Sequence, residues 1–274
     1  MKRLGLDAIG WHVFARGARR LDLFRDDQDY SQFLIFLQFA IKKSGCTLWA
    51  FVLMSNHYHL VLYGSSAQLT ACMRRLNGMY SRYHNRRYGL SGHAFDGPYH
   101  AYPQPSPLLL LRAVAYVFMN PVAAGIASVP EEYRWSCFKS YTTLSGSPIQ
   151  VDPTGLMARA HPDPKVAWAQ FHRALDREKR RPHRTRPGSL TRTQVHADQF
   201  ECLLEHARER RSSLLGEDPD VVAMHWAHQL GISPRAMALV LESESPAQIS
   251  QELFYFRKRL ELDPLLARAL QTPE

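Results

Sequence analysis

Two apolar runs separated by only two residues constrain the fold of this chain more than any other feature. The first run covers residues 46–54 and the second covers residues 57–63, with Ser55 and Asn56 between them. Short apolar runs bounded by polar residues favour strands, and a two-residue connection is typical of a tight antiparallel pair. The sequence therefore predicts a β-hairpin at this point in the chain.

Further strand patterns lie on both sides of the hairpin. Residues 10–17 are rich in strand-favouring side chains and end in a basic turn. Residues 92–102 favour another strand, in which Pro98 indicates an edge position or a bulge. The chain thus offers four strands, of which only the hairpin pair is adjacent in sequence.

Helical patterns separate these strands. A first helix is predicted after the capping candidates Asp26–Asp29, a second around residues 69–83, and a third over 108–120, which Pro121 should stop. Their apolar positions recur at spacings of three and four residues. The order β-α-β-β-α-β-α predicts an α+β fold, a ferredoxin-like antiparallel sheet with helices on one face.

The chain divides by composition into three parts. Residues 1–145 contain the strand and helix alternation, residues 146–195 predict a basic and partly helical linker, and residues 196–274 predict an all-α domain. Within the last part, residues 222–230 and 234–241 resemble a helix-turn-helix. His225 and His228, three residues apart there, have a spacing that could bind a metal on a helix, but we expect them to lie on a solvated face.

Positive charge is concentrated in the first two parts. Residues 1–150 have 16 basic and 8 acidic residues, residues 151–190 have 9 and 4, and residues 191–274 have 9 and 13, which together give +9. A polyanionic partner is predicted for the first two segments. Because no run of 18 apolar residues exists, we expect no membrane association and a cytoplasmic protein.

His57 and His59 are the sharpest chemical feature of the sequence. They lie two residues apart on a predicted strand, so their side chains face the same way and can bind one divalent ion. An isolated pair of this kind is more often two ordinary histidines. Here the strand is otherwise apolar, so buried imidazoles would require partners.

Tyr116 and Asn120 form a second pair, one helical turn apart near the end of the third predicted helix. The tyrosine is either a nucleophile or a half-buried core residue. The asparagine is either a third metal ligand or a C-terminal cap before proline. As a ligand it would complete a His57, His59 and Asn120 site with open positions for a substrate phosphate.

These residues, with the segments around them, resemble those of a known protein family. The run from Met54 to Leu62 resembles the His-hydrophobe-His motif of the HUH single-tyrosine transposases, and the run from Tyr116 to Gly125 resembles the nucleophile helix of their REP-associated tyrosine transposase type. The resemblance covers about residues 8–145. The supporting motifs are Arg16-Gly17, Phe24 to Tyr30, Gly92 to Gly97 and Trp135-Ser136.

The resemblance implies a DNA transposase, an endonuclease and strand transferase that cleaves and rejoins single-stranded DNA, specifically hairpins of repeated sequences. It assigns His57 and His59 as catalytic metal ligands for Mg²⁺ or Mn²⁺, Asn120 as the third ligand and Tyr116 as the nucleophile. Attack by Tyr116 on the polarised phosphate would give a 5′-phosphotyrosine and a free 3′-OH. The protein would act as a monomer or a homodimer.

This chain departs from the family pattern at positions that are expected to contact phosphate. Pro98, His100 and Ala123 stand where relatives tend to have basic residues. Other arginines can compensate. The residues predicted to bind DNA are Arg16, Arg74, Arg75, Arg82, Arg86, Arg87, Arg180 and Arg181.

Two rival functions stay open on the sequence alone. One is a domesticated DNA-binding protein that retains the fold and does not cut. The other is a plain metal-dependent hydrolase in which Tyr116 is structural. Formation of a covalent protein–DNA adduct would separate the transposase from both.

Overall fold

Four antiparallel strands form the central sheet of the N-terminal unit in this computed structural model. They are β1 (Ile9–Arg16), β2 (Thr47–Met54), β3 (His57–Gly64) and β4 (His100–Gln104). Their order across the sheet is β2-β3-β1-β4, and each neighbouring pair is antiparallel. The predicted hairpin is present, and the sheet confirms the ferredoxin-like fold class.

The structure describes residues 8–104, 106–143 and 146–180. In the C-terminal part it describes residues 197, 200, 201, 203, 204, 207, 208, 214, 217–229, 232–241 and 245–270. The chain divides into two compact units, Met1–Gly188 and Ser189–Glu274.

Two well-capped helices connect the strands. In α1 (Asp27–Ser44), the Asp26 side chain accepts hydrogen bonds from backbone N–H groups of the first turn, and Gly45 ends the helix at a φ of 73°. In α2 (Ser66–Tyr88), Ser65 and Gln68 form a capping box. The cap at Asp26 confirms the predicted start of α1. This start could be predicted because capping depends on neighbouring residues.

The two faces of the sheet are covered by different helices. Tyr58 of β3 points to the face covered by α1 and α2, where its hydroxyl donates a hydrogen bond to Asn77 at 2.7 Å. On the opposite face lies α3 (Pro107–Ala123), with Leu110 against Gly10 of β1. We predicted helices on one face only. The third helix adds a second layer because apolar side chains cover most of its circumference and must be buried.

Two boundaries differ from the prediction. The strand expected over 92–102 begins only at His100, after an irregular segment. Helix α3 continues past Pro121, which we expected to stop it. A proline in the last turn removes a single hydrogen bond, and the N–H of Ala124 still closes the turn on Asn120 at 3.0 Å.

Residues 146–180 are part of the N-terminal unit, so the prediction of a linker is wrong for them. The segment contains α5 (Pro153–Ala160) and α6 (Pro164–Arg180), which follow the short α4 (Lys139–Thr142). Phe171 of α6 is 1% exposed and packs against aromatic rings of α3 and α4. The linker prediction rested on the basic stretch of residues 173–192 and the prolines within it. The buried positions of α6, in contrast, recur at helical spacing.

The C-terminal unit is helical where it is described. Its helices are α7 (Pro219–Gln229), α8 (Pro234–Leu241), α9 (Pro246–Leu262) and α10 (Pro264–Ala269). The first two occupy the positions of the predicted helix-turn-helix, of which Leu230 and Gly231 lie outside the described residues. His225 is only 7% exposed, so our expectation of a solvated face was wrong for it. Across the described residues, no helix is both long and apolar enough to cross a membrane.

Candidate active site

His57 and His59 lie on the face of β3 that is turned towards α3. Antiparallel pairing places His57 opposite Arg16 of β1 and His59 opposite Phe14. The imidazoles are 5% and 3% exposed, and their ring centroids are 5.2 Å apart at 88°. Burial lowers the pKa of His57 to about 4, with a smaller contribution from Arg16, and it holds the pKa of His59 well below its usual range. Both rings are therefore neutral near pH 7.

Helix α3 brings Tyr116 to these histidines. The half-buried tyrosine ring lies 5.6 Å from the His59 ring, in an edge-on contact. Leu110, earlier in the same helix, contacts Gly10 at the start of β1, so α3 advances from that end of the sheet towards the histidines. Asn120 is one turn further, about 6 Å along the helix, which matches the spacing of roughly 6.6 Å between alternate strand residues.

The side chain of Asn120 is oriented by the backbone of its own helix. Its Nδ2 donates a hydrogen bond to the Tyr116 carbonyl at 2.8 Å, which directs the amide oxygen elsewhere. Within the described part of the chain, no three His, Cys, Asp or Glu side chains converge as a metal-binding group. The role of the Asn120 amide oxygen as a third ligand beside His57 and His59 stays a prediction.

The structure adds one residue that the sequence analysis missed. His12 of β1 is 4% exposed, and its Nε2 lies 3.0 Å from Nδ1 of His59. Its ring also makes an edge contact with Tyr116 at 5.6 Å. Burial lowers the pKa of His12 to about 4. The available signal was alternation, because His12, Phe14 and Arg16 share one face of a predicted strand.

Arg16 is the predicted DNA-binding residue that lies in the site. Its guanidinium interacts electrostatically with Tyr116, Asp96 and Arg20, and burial is the main cause that lowers its pKa. Its Nε is buried and has no hydrogen-bond partner among the described residues. A half-buried cation beside the tyrosine suits an anion such as a phosphate group.

The sequence analysis also missed Arg112, a cation on α3. Arg112 is half-buried and precedes Tyr116 by four residues, as Asn120 follows it by four. The three side chains thus form one stripe of the helix. The i, i+4 spacing of these three residues was visible in the sequence.

Most of the other predicted DNA-binding arginines lie away from this site. Helix α2 covers the face of the sheet opposite to His57, and its exposed arginines are Arg74, Arg75, Arg82 and Arg86. Arg87, at the end of the same helix, pairs with Asp26 and Asp29. Arg180 is exposed at the end of α6, and Arg181 lies outside the described residues.

The β4 edge of the site carries aromatic rings in place of basic residues. His100 is exposed and stacks on Phe14 at 4.8 Å, and the ring of Tyr102, also on β4, lies 6.0 Å from Phe14. Phe14 in turn contacts the His59 ring at 5.4 Å. Phe14 and Tyr102 are buried, so only the His100 ring of this border is accessible for stacking on an unpaired base.

The backbone next to the site is tightly turned. A Cβ at Gly17 would lie 2.1 Å from the Leu21 carbonyl oxygen, so only glycine fits there. Arg19 and Arg20 follow with φ values of 55° and 62°, a conformation that costs energy for residues other than glycine. The Gly17 N–H also donates to the Asn56 carbonyl at 2.8 Å, which ties this turn to the hairpin.

Comparison with known proteins gives two matches and one negative result. Residues 7–103 match the family model described as "Transposase IS200 like". One solved structure, of a REP-associated tyrosine transposase bound to a REP hairpin, is similar at 15% identity and a TM-score of 0.45 over 56% of this chain and 92% of that one. No curated protein matches significantly. The matched segment contains His12, Arg16, His57 and His59, so the N-terminal part of the chain is similar to the IS200-like transposases.

Proposed function

We propose that the N-terminal unit cleaves and rejoins single-stranded, hairpin-forming DNA through a covalent bond to Tyr116. The observation that carries this proposal is the placement of two buried, neutral imidazoles against the ring of one tyrosine on the same face of the sheet. A tyrosine phenol is a weak nucleophile alone, because its pKa in free solution is about 10. It needs positive charge at the phosphate that it attacks.

The donor set fits a divalent cation. Two imidazoles that share one ion each place a nitrogen about 2.1 Å from it, and rings at near right angles with centroids 5.2 Å apart allow this. One nitrogen of each ring is hydrogen-bonded within the protein, at 2.7 Å for His57 and 3.0 Å for His59, which leaves the other for the ion. Asn120 would supply an amide oxygen. When bound, Mg²⁺ or Mn²⁺ supplies positive charge that polarises the scissile phosphate.

The protein side chains would divide the reaction between them. The Tyr116 oxygen attacks the phosphorus and forms a phosphotyrosine bond, while the bond from phosphorus to the 3′ oxygen breaks and a 3′-OH leaves. Arg16 beside the tyrosine offsets the negative charge that develops in the transition state. A 3′-OH from a second strand can reverse the step. The number of phosphoester bonds is conserved, so joining needs no nucleotide hydrolysis.

An adduct assay tests this proposal. The full chain is incubated with a hairpin-forming single strand and Mn²⁺, with the label on either the 3′ or the 5′ end. A 5′-phosphotyrosine carries the downstream fragment, so the 3′ label should migrate with the protein and the 5′ label should not. EDTA should abolish the adduct, and added Mn²⁺ should restore it.

The matched variants are Tyr116→Phe and Tyr63→Phe. Tyr63 lies on the same face of β3, where it stacks on Trp49 away from His57 and His59. Loss of the adduct in Tyr116→Phe alone supports the nucleophile. An adduct that persists in Tyr116→Phe refutes it, and hairpin binding without any cleavage favours the domesticated DNA-binding protein. Release of both fragments without an adduct favours a metal-dependent hydrolase.

A further inference from the structure

We propose that His12 and Asn56 are positioning residues that make His57 and His59 present Nε2, and not Nδ1, to the centre of the site. This inference rests on the proposed metal-dependent function, since it names what aims the two ligands. Neutral imidazole has one protonated nitrogen and one with a free electron pair. Only the second can bind a cation, so the position of the proton decides whether the site works.

Asn56 sets the proton of His57. Its Oδ1 lies 2.7 Å from Nδ1 of His57, and an amide oxygen is only an acceptor, so His57 must donate from Nδ1. The amide is held in this orientation because its Nδ2 donates a weak hydrogen bond to the Arg20 carbonyl at 3.5 Å. Nε2 of His57 is then left with its electron pair.

The Arg20 carbonyl is itself placed by an unusual turn. Arg19 and Arg20 both have positive φ, and the turn is fixed to the hairpin through the Gly17 N–H. Backbone strain of this kind persists only where surrounding contacts over-determine it. The turn after β1 therefore holds the Asn56 amide in place beside His57.

His12 does the same for His59. The two rings are stacked at a centroid distance of 5.2 Å, and a single proton can lie between Nε2 of His12 and Nδ1 of His59. If His59 donates it, Nε2 of His59 is free for a cation. If His12 donates, Nε2 of His59 must be protonated and the site is blocked. Metal-binding histidines are commonly oriented by an acceptor at the other ring nitrogen.

The contact geometry argues against His12 as a direct ligand. The nitrogen that faces His59 is already engaged in the hydrogen bond, and no cluster of three His, Cys, Asp or Glu ligands forms among the described residues. His12 acts on the ion through His59. Replacement of such an outer partner typically lowers metal affinity about 10- to 100-fold.

Two experiments on the full chain test this inference. Long-range ¹H–¹⁵N NMR of the metal-free protein reports which nitrogen of each histidine is protonated, and variants at His12, His57 and His59 assign the signals. We expect Nδ1–H forms for His57 and His59 in the wild type. An Nε2–H form of either ring overturns the inference, whether or not the protein binds metal.

Mn²⁺ affinity, measured by electron paramagnetic resonance of the free ion, provides the second readout. His12→Phe keeps a ring but lacks an acceptor, and we expect affinity to fall about 10- to 100-fold. His12→Gln retains an acceptor oxygen and should remain within about threefold of the wild type. Equal losses in the two variants would contradict the positioning role.

The same comparison applies at Asn56. Asn56→Asp keeps an acceptor and Asn56→Leu removes it, so only the leucine variant should lose affinity. Failure of the wild type to bind Mn²⁺ at all would refute the proposed function, while the NMR result would still decide how His12 and Asn56 act. Circular dichroism confirms that each variant is folded.

Discussion

The carboxylate of Asp29 in α1 is fully buried and receives the guanidinium of Arg87 in α2 at 2.5 Å. The hydroxyls of Tyr83 and Tyr88 donate to the same carboxylate at 3.1 and 2.6 Å. Arg87 also pairs with the capping residue Asp26. These contacts fasten the end of one helix to the start of the other, so Arg87 is committed within the protein and is not available as a surface cation for DNA.

Removal of this cation should destabilise the fold. Arg87→Met leaves the buried Asp29 charge without its partner, and breaking a buried pair in this way is strongly destabilising. We expect the melting temperature to fall by several degrees. Arg86→Met removes an exposed neighbour on the same helix and should change it by no more than about 2 °C. Equal melting temperatures for the two variants would contradict the structural role.

Helix α6 should be required for the stability of the N-terminal unit. Phe171 is 1% exposed and contacts Phe118 and Tyr141, so Phe171→Ala should cost about 3–5 kcal/mol in the free energy of unfolding. Val166 on the same helix is 37% exposed, and Val166→Ala is the control, with an expected change below about 0.5 kcal/mol. Urea titration followed by tryptophan fluorescence measures both. A small effect of Phe171→Ala would restore the interpretation of this segment as a linker.

Arg16 and Arg74 should differ sharply in their effect on cleavage. Both substitutions to methionine remove one positive charge, but Arg16 lies beside Tyr116 and Arg74 lies on the helix that covers the other face. We expect Arg16→Met to slow adduct formation by about 10²-fold, as removal of one transition-state donor does. Arg74→Met should change the rate by less than about threefold. Comparable losses would mean that DNA reaches the α2 face during the reaction.

The stability of the metal-free protein should depend on the protonation of His12. Its pKa is lowered by burial to about 4 in the folded state, whereas in the unfolded chain it has its ordinary value of 6.5. Between these values the unfolded state binds more protons, so the contribution of His12 to stability is present above pH 6.5 and is lost as the pH falls towards 4.

Unfolding in EDTA between pH 7 and pH 4 measures this effect. The free energy of unfolding should fall less steeply for His12→Phe than for the wild type, because phenylalanine binds no proton. Parallel curves would show that folding does not lower the pKa of His12.

The sequence was most informative where structure depends on neighbouring residues. The two-residue gap at Ser55 and Asn56 predicted the hairpin, and Asp26 predicted the start of α1, because turns and caps are decided within a few positions. The shared face of His57 and His59 followed from strand alternation alone. Tyr116 could be singled out by its polar partner at i+4.

Contacts between distant segments could not be read in the same way. His12 meets His59 from 47 residues away, and Arg87 meets Asp29 from 58 residues away. Both pairings depend on the order of strands and helices in space, which one sequence does not specify. The placement of α3 on its own face had the same cause. It separates the site from the arginines of α2, whose role in DNA binding stays a prediction.

Strand β3 has one face for folding and the other for chemistry. Tyr58 secures the helix layer, while the two histidines on either side of it serve the site. Because side chains alternate, a shift of β3 by one residue against its neighbours would exchange these roles along the whole strand. The pairing of His57 with Arg16 and of His59 with Phe14 therefore fixes which side chains face the site. A change in the turn at Ser55 and Asn56 leaves the histidines in place only if it preserves this register.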